Sequence, residues 1–68
     1  MPLERASDKE LGRLLTVEEA AERLNTSPRF VRRLIFERRI AFLKLGRHVR
    51  ITEHDLDSYV RNCRVHDL

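Results

Sequence analysis

A single cysteine, Cys63, rules out any disulfide within these 68 residues, so packing alone must hold the chain together. One unpaired thiol fits a reducing compartment, and a cytoplasmic setting is the expectation. Glycine is almost as scarce: only Gly12 and Gly46 occur, which leaves no glycine-rich loop to cradle phosphates. No apolar run approaches the ~20 residues of a membrane-spanning helix, and Met1–Arg5 lacks the apolar core of a signal peptide. His48, His54 and His66 show no metal-site spacing with one another or with Cys63, and one cysteine cannot build a structural zinc site. No Ser/His/Asp set or carboxylate pair is apparent, since Asp55 and Asp57 fall on different helix faces. Neither catalysis, a metal, a cofactor, a small-molecule substrate nor a membrane is expected.

A chain of this length forms one small domain that buries only ~60% of its unfolded surface. About fifteen side chains can form its core, but no deep substrate cavity can open inside it. The charge is unevenly spread. Residues 26–50 hold eight of the 14 Lys/Arg residues against one acid, Glu37. Residues 1–25 carry four basic and six acidic side chains, and residues 51–68 carry two and four. The overall +3 thus conceals a basic centre between acidic flanks, a distribution suited to a polyanion.

Local signals order the elements. Residues 1–13 form a mixed-charge leader, flexible or partly helical, in which Ser7-Asp8-Lys9-Glu10 has capping-box spacing and Gly12 would stop the turn. Thr16-Val17-Glu18-Glu19 is a capping box opening a first helix, with Leu15 and Ala20 spaced as a hydrophobic staple. Val17, Ala20, Ala21 and Leu24 share its apolar face, and Asn25 suits the left-handed residue that ends it. Ser27 caps a second helix with Pro28 in its first position, and Val31, Leu34 and Ile35 repeat the apolar spacing. Two helices joined through Asn25-Thr26-Ser27 make a helix-turn-helix. From Ile40 the period becomes that of strands: Ala41–Leu45 and His48–Ile51 flank a two-residue turn at Gly46-Arg47. Thr52 caps a third helix whose stripe is Leu56, Tyr59, Val60 and Cys63, the last taken as a small core hydrophobe rather than a nucleophile. The expected domain covers residues 14–63, with residues 64–68 a fraying tail. The class is α+β, mostly α.

A rotation of about 100° per residue from Val31 places Leu34, Ile35 and the stem of Arg38 on one side of the second helix. Arg29, Arg33 and Phe36 point away, with Arg32 and Phe30 on the flanks. An ordinary solvated face would mix signs to gain pair energy; here nothing acidic lies four residues from Arg29, and only Glu37 does so from Arg33. This helix also follows a tight turn, the position of a recognition helix. Phe36 is the odd residue on that face, placed either for a protein contact or for apolar contact with a thymine methyl. Lys44, Arg47, His48 and Arg50 make the hairpin basic as well. Lys and Arg can simply guard a sheet edge, but beside a basic helix they suit a wing reaching the adjacent groove.

The runs Leu15-Thr16-Val17-Glu18-Glu19-Ala20-Ala21-Glu22-Arg23-Leu24, Val31-Arg32-Arg33-Leu34-Ile35 and Lys44-Leu45-Gly46-Arg47-His48-Val49-Arg50-Ile51 resemble the excisionase family of small winged-helix proteins, relatives of the DNA-binding domain of mercury-resistance-type regulators. The resemblance covers about residues 14–60. It implies a small winged helix-turn-helix: the helix-turn-helix, a two-stranded β-hairpin wing and a C-terminal helix. It also implies a recombination directionality factor of a phage or mobile element, without catalysis of its own, active in the cytoplasm of a bacterial host. In such proteins the second helix enters the major groove and the wing touches the neighbouring minor groove. Copies bind adjacent attachment-region sites, bend the DNA and help the integrase excise the element. The matching positions are Ser27, Arg29, Phe30, Arg32 and Arg33 in the helix and Gly46, Arg47 and His48 in the wing. Two positions depart from the pattern: Phe30 stands where a small hydroxyl residue is usual, and Arg38 where a glycine follows the second helix.

Three functions compete at this point. The first is an excisionase acting with its cognate integrase on double-stranded DNA, monomeric in solution and associating with copies of itself on adjacent sites. The second is a small transcriptional repressor on the same fold. The third, of another class, is a protein-interaction adaptor whose basic face and Phe36 bind an acidic partner.

Overall fold

The computed structural model describes residues 11–65. The capping-box spacing at Ser7–Glu10 lies outside them. The three helices whose starts lie among these residues each begin at a hydroxyl cap. Helix α1 (Val17–Leu24) opens on Thr16, whose Oγ1 accepts the Glu19 N–H at 3.0 Å while the Glu19 carboxylate accepts the Thr16 N–H at 2.9 Å. That second bond holds the Glu19 carboxyl below the usual carboxylate range, helped by Arg13 and Arg50 and opposed by partial desolvation. Helix α2 (Pro28–Phe36) opens on Ser27, whose Oγ accepts the Phe30 N–H. Helix α3 (Glu53–Asn62) opens on Thr52, which accepts from the Asp55 N–H.

The exits of α1 and α2 are left-handed. Asn25 takes φ 57°, and its neighbour's N–H returns to the Ala21 carbonyl at 2.9 Å. Arg38 takes φ 59°, with Arg39 N–H bonded to the Leu34 carbonyl at 2.8 Å and Arg38 N–H to that of Ile35 at 3.1 Å. Both are Schellman closures, in which the orphan carbonyls of the last turn find partners. Arg38 therefore adopts the glycine conformation without being glycine, and it stands beyond the helix instead of extending the helix's apolar side. Its guanidinium lies 5.4 Å from the centre of the Phe42 ring.

The strands form one antiparallel sheet of three, not a hairpin alone. β1 (Leu14–Leu15) pairs with β3 (His48–Thr52), Leu14 opposite Thr52 and Leu15 opposite Ile51. β2 (Leu43–Leu45) pairs with the other side of β3, Leu43 opposite Arg50 and Leu45 opposite His48. The turn is Gly46-Arg47, with φ +64° at Gly46 and no left-handed conformation at Arg47, the sign pattern of a type II′ hairpin. β2 begins two residues later than the sequence pattern implies. Ile40 is committed to the core and Phe42 packs against it, so Ala41-Phe42 serves as connection.

Leu15, Ala20, Ala21, Val31, Leu34, Ile40, Ile51 and Leu56 make the core, flanked by Val17, Leu24, Ile35, Phe42 and Tyr59. The stripe of α3 is shorter than its periodicity suggests. Leu56 is its only buried residue, Tyr59 is half-buried, and Val60 and Cys63 are exposed. Cys63 is therefore not a core residue: the last turn of α3 runs past the apolar cluster, where no described element covers it. The Cys63 thiol sits beside the Tyr59 hydroxyl and raises its pKa, with burial adding to the effect.

The start of α3 ties the domain together. Arg13 N–H donates to Glu53 Oε1 at 2.9 Å, Glu53 N–H donates to the Arg13 carbonyl at 3.0 Å, and Arg23 reaches Glu53 Oε2 at 2.7 Å. These donors, the Arg13 amide first, hold the Glu53 carboxyl below its ordinary range. Gly12, at φ +75°, makes room for this contact, since a Cβ there would meet Glu53 Oε1 at 2.6 Å.

Candidate nucleic-acid interface

The turn Asn25-Thr26-Ser27 sets α2 across α1, burying Val31 and Leu34 and turning the opposite face of α2 outward. Ser27, Arg29, Phe30, Arg32, Arg33, Phe36 and Glu37 line a shallow concavity on that face. A second concavity lies between α2 and the wing, with Val17, Ile35 and Val49 among its walls and Arg32, Arg47, His48 and Arg50 contributing the basic groups. Arg32 and Phe36 belong to both. The two basic elements inferred from sequence thus adjoin, and those two residues form the seam.

The electrostatics of α2 are unusual for this chain. α1 and α3 carry acidic residues in their first turns (Glu18 and Glu19; Glu53 and Asp55), complementing the positive end of the helix dipole. The first turn of α2 has none and instead presents Arg29. A cation there costs about 0.3–1 kcal/mol in the free domain, which an arriving phosphate would reverse. Arg29 forms no ion pair among the described residues. Arg32 reaches Glu18 of α1 at 3.1 Å, and Arg33 lies 3.9 Å from Glu37. Both pairs are solvent-exposed, and such pairs are worth about 0.2–1 kcal/mol, little enough to exchange for DNA phosphates.

The wing residues divide by depth. Lys44, Gly46, Arg47 and His48 are exposed, and a Cβ at Gly46 would meet open space within the chain, so this glycine is required by its φ and not by crowding. Arg50 is half-buried at the wing's root, its guanidinium folded onto the Val49 carbonyl at 2.8 Å. Lys44 stands on β2 outside the lining of either concavity. Glu18 escapes the sequence reading because its partner Arg32 belongs to another helix, beyond the reach of any i,i+4 rule. Ile35, which helical spacing puts on the apolar side of α2, lines the groove together with Val49. Among the described residues no group of His, Cys, Asp or Glu is placed to hold a metal ion, and no helix is long and apolar enough to cross a membrane.

A helix about 13 Å long with its basic face outward, set by a tight turn and joined to a basic hairpin, defines a winged helix-turn-helix of the DNA-binding class. The helix-turn-helix domain family model matches residues 14–64, and the chain belongs to that family, which includes excisionase-like DNA-binding proteins. No curated protein and no solved structure matches the chain. The domain is accordingly a sequence-specific binder of double-stranded DNA, in a family whose members are typically not enzymes.

Proposed function

We propose that the protein is an excisionase-type recombination directionality factor that binds and bends attachment-region DNA and so favours integrase-mediated excision. The observation that carries this reading is the continuous basic surface formed by α2 and the wing on a small helix-turn-helix domain of this family. Ser27, Arg29, Phe30, Arg32 and Arg33 face the major groove in this arrangement. Gly46, Arg47 and His48, with Lys44 and Arg50 behind them, approach the adjacent minor groove or backbone. The partners are duplex DNA, the cognate integrase and further copies of the protein on neighbouring sites.

The test is reconstituted excision with the cognate integrase, with and without this protein, alongside a bending assay on attachment-region fragments. Stimulated excision and bending on occupancy are expected. Normal excision in its absence excludes the role and leaves the small transcriptional repressor as the remaining DNA-binding reading. A domain touching ~6 phosphates should show a log–log salt slope near −5, whereas an adaptor for an acidic protein would bind duplex with little salt dependence.

A further inference from the structure

Phe36 is the most exposed large apolar residue among those described, at 86%. It lies on the seam between the two concavities, bracketed by Arg32 and Arg33 on the helix side and Arg47 on the wing side. Among the described residues no guanidinium stacks on its ring, and the one cation–π contact is Arg38 on Phe42. The ring is thus held bare in the middle of a cationic surface. Any ligand seated there must neutralise cations on both rims and offer an apolar group between them. A duplex does both, with phosphates along the groove edges and the thymine C5-methyl as the apolar feature on the major-groove floor.

We infer that Phe36 is a specificity-determining residue that packs on the C5-methyl of a thymine in the major groove; the inference rests on the DNA-binding reading above. Helix geometry sets the register. Arg29, Arg33 and Phe36 follow i, i+4, i+7 spacing on one face, so the ring lies about 10 Å along the axis from Arg29. At ~3.4 Å per base pair along a strand, that is about three base pairs. The thymine lies about that far from the base pair facing Arg29.

The experiment selects the preferred site from a random duplex pool and then replaces each thymine singly by deoxyuracil, which removes only the methyl group. Wild type should lose roughly fourfold in affinity at one thymine, the equivalent of one CH2 group left unburied. That position should lie about three base pairs from the one whose discrimination Arg29→Ala relaxes. Phe36→Ala should erase the methyl dependence while leaving the salt slope unchanged, and Phe36→Leu should retain part of it. The ring supports no core, so both variants should fold, as circular dichroism will verify. A site without thymine in that window, a methyl effect persisting in Phe36→Ala, or equal losses on all sequences would overturn the inference, the last placing the ring on the sugar–phosphate backbone. In each of these cases salt-dependent duplex binding by the wild type would leave the DNA-binding reading standing; its absence would remove both.

Discussion

Replacing Arg38 by glycine and by alanine separates the two effects that meet at this residue. At φ 59° a residue with a Cβ is strained by about 1–2 kcal/mol, and the Schellman bonds to Leu34 and Ile35 hold it there. Glycine removes the strain but adds about 0.5–1 kcal/mol of unfolded-state entropy. Both substitutions lose the Arg38–Phe42 contact, worth about 0.5 kcal/mol at an exposed site, so it cancels between them. The Arg38→Gly variant should therefore exceed Arg38→Ala in stability by about 0.5–1 kcal/mol. With a urea m-value near 1 kcal/mol/M for a small domain, the midpoints should differ by about 0.5–1 M. The control is the same pair of substitutions at Arg33, an exposed residue inside α2, where glycine should be the worse residue by about 1 kcal/mol. The sign should reverse between these two positions. Equal midpoints for the Arg38 pair, or alanine ahead of glycine, would show that the helix does not end in a left-handed residue.

Three further outcomes are expected. Arg29→Ala should cost about 1–3 kcal/mol on the preferred site and relax base preference, whereas Arg47→Ala should weaken binding evenly across sequences; fluorescence anisotropy on matched and scrambled duplexes reads both, and identical, sequence-independent losses would mean α2 contacts no bases. The Glu53 and Glu19 carboxyls are held below their ordinary value of 4.5 in the folded state, so the folded chain binds fewer protons than the unfolded one near pH 4; their stabilisation is full above that value and is lost as pH falls through the lowered pKa. Glu53→Gln should accordingly flatten the decline of the urea midpoint between about pH 5 and 3, and an unchanged slope would contradict the Arg13–Glu53 geometry. Gly46→Ala should cost about 1 kcal/mol through φ alone, and Gly12→Ala more, because its Cβ displaces the Glu53 carboxylate; thermal unfolding of the two variants ranks them.

The parts of the fold legible in sequence are those decided locally. Thr16, Ser27 and Thr52 each mark a helix start because the cap and its amide lie within one turn, and Asn25 ends α1 because its side chain tolerates the left-handed region. The two-residue turn at Gly46-Arg47 is legible because glycine admits a positive φ without a Cβ clash, whereas its type emerges only from the backbone angles. β1 is not legible: it has two residues, and its partners Ile51 and Thr52 lie 36 to 38 positions further on, so no periodicity could mark it. Arg38 is legible only as a departure from a glycine pattern, since nothing in an arginine announces a positive φ. Cys63 and Val60 carry helical spacing but fall beyond the reach of the core, which periodicity along one helix cannot reveal. The basic residues of the candidate interface can be named from their positions, but their junction at Arg32 and Phe36 depends on how the wing lies against α2.

Thr52 closes β3 opposite Leu14, is almost completely buried, and caps α3 through its hydroxyl. One residue is therefore the end of a strand, a member of the core and the first anchor of a helix, and no linker separates them. The wing is a lever without a hinge. β3 extends about 13 Å from His48 to its fixed end at Thr52, and a torque applied at the tip meets no loop able to absorb it before α3. A wing pressed into a groove would pass that torque straight to the start of the third helix, and the exposed Val60–Val65 end would turn with it.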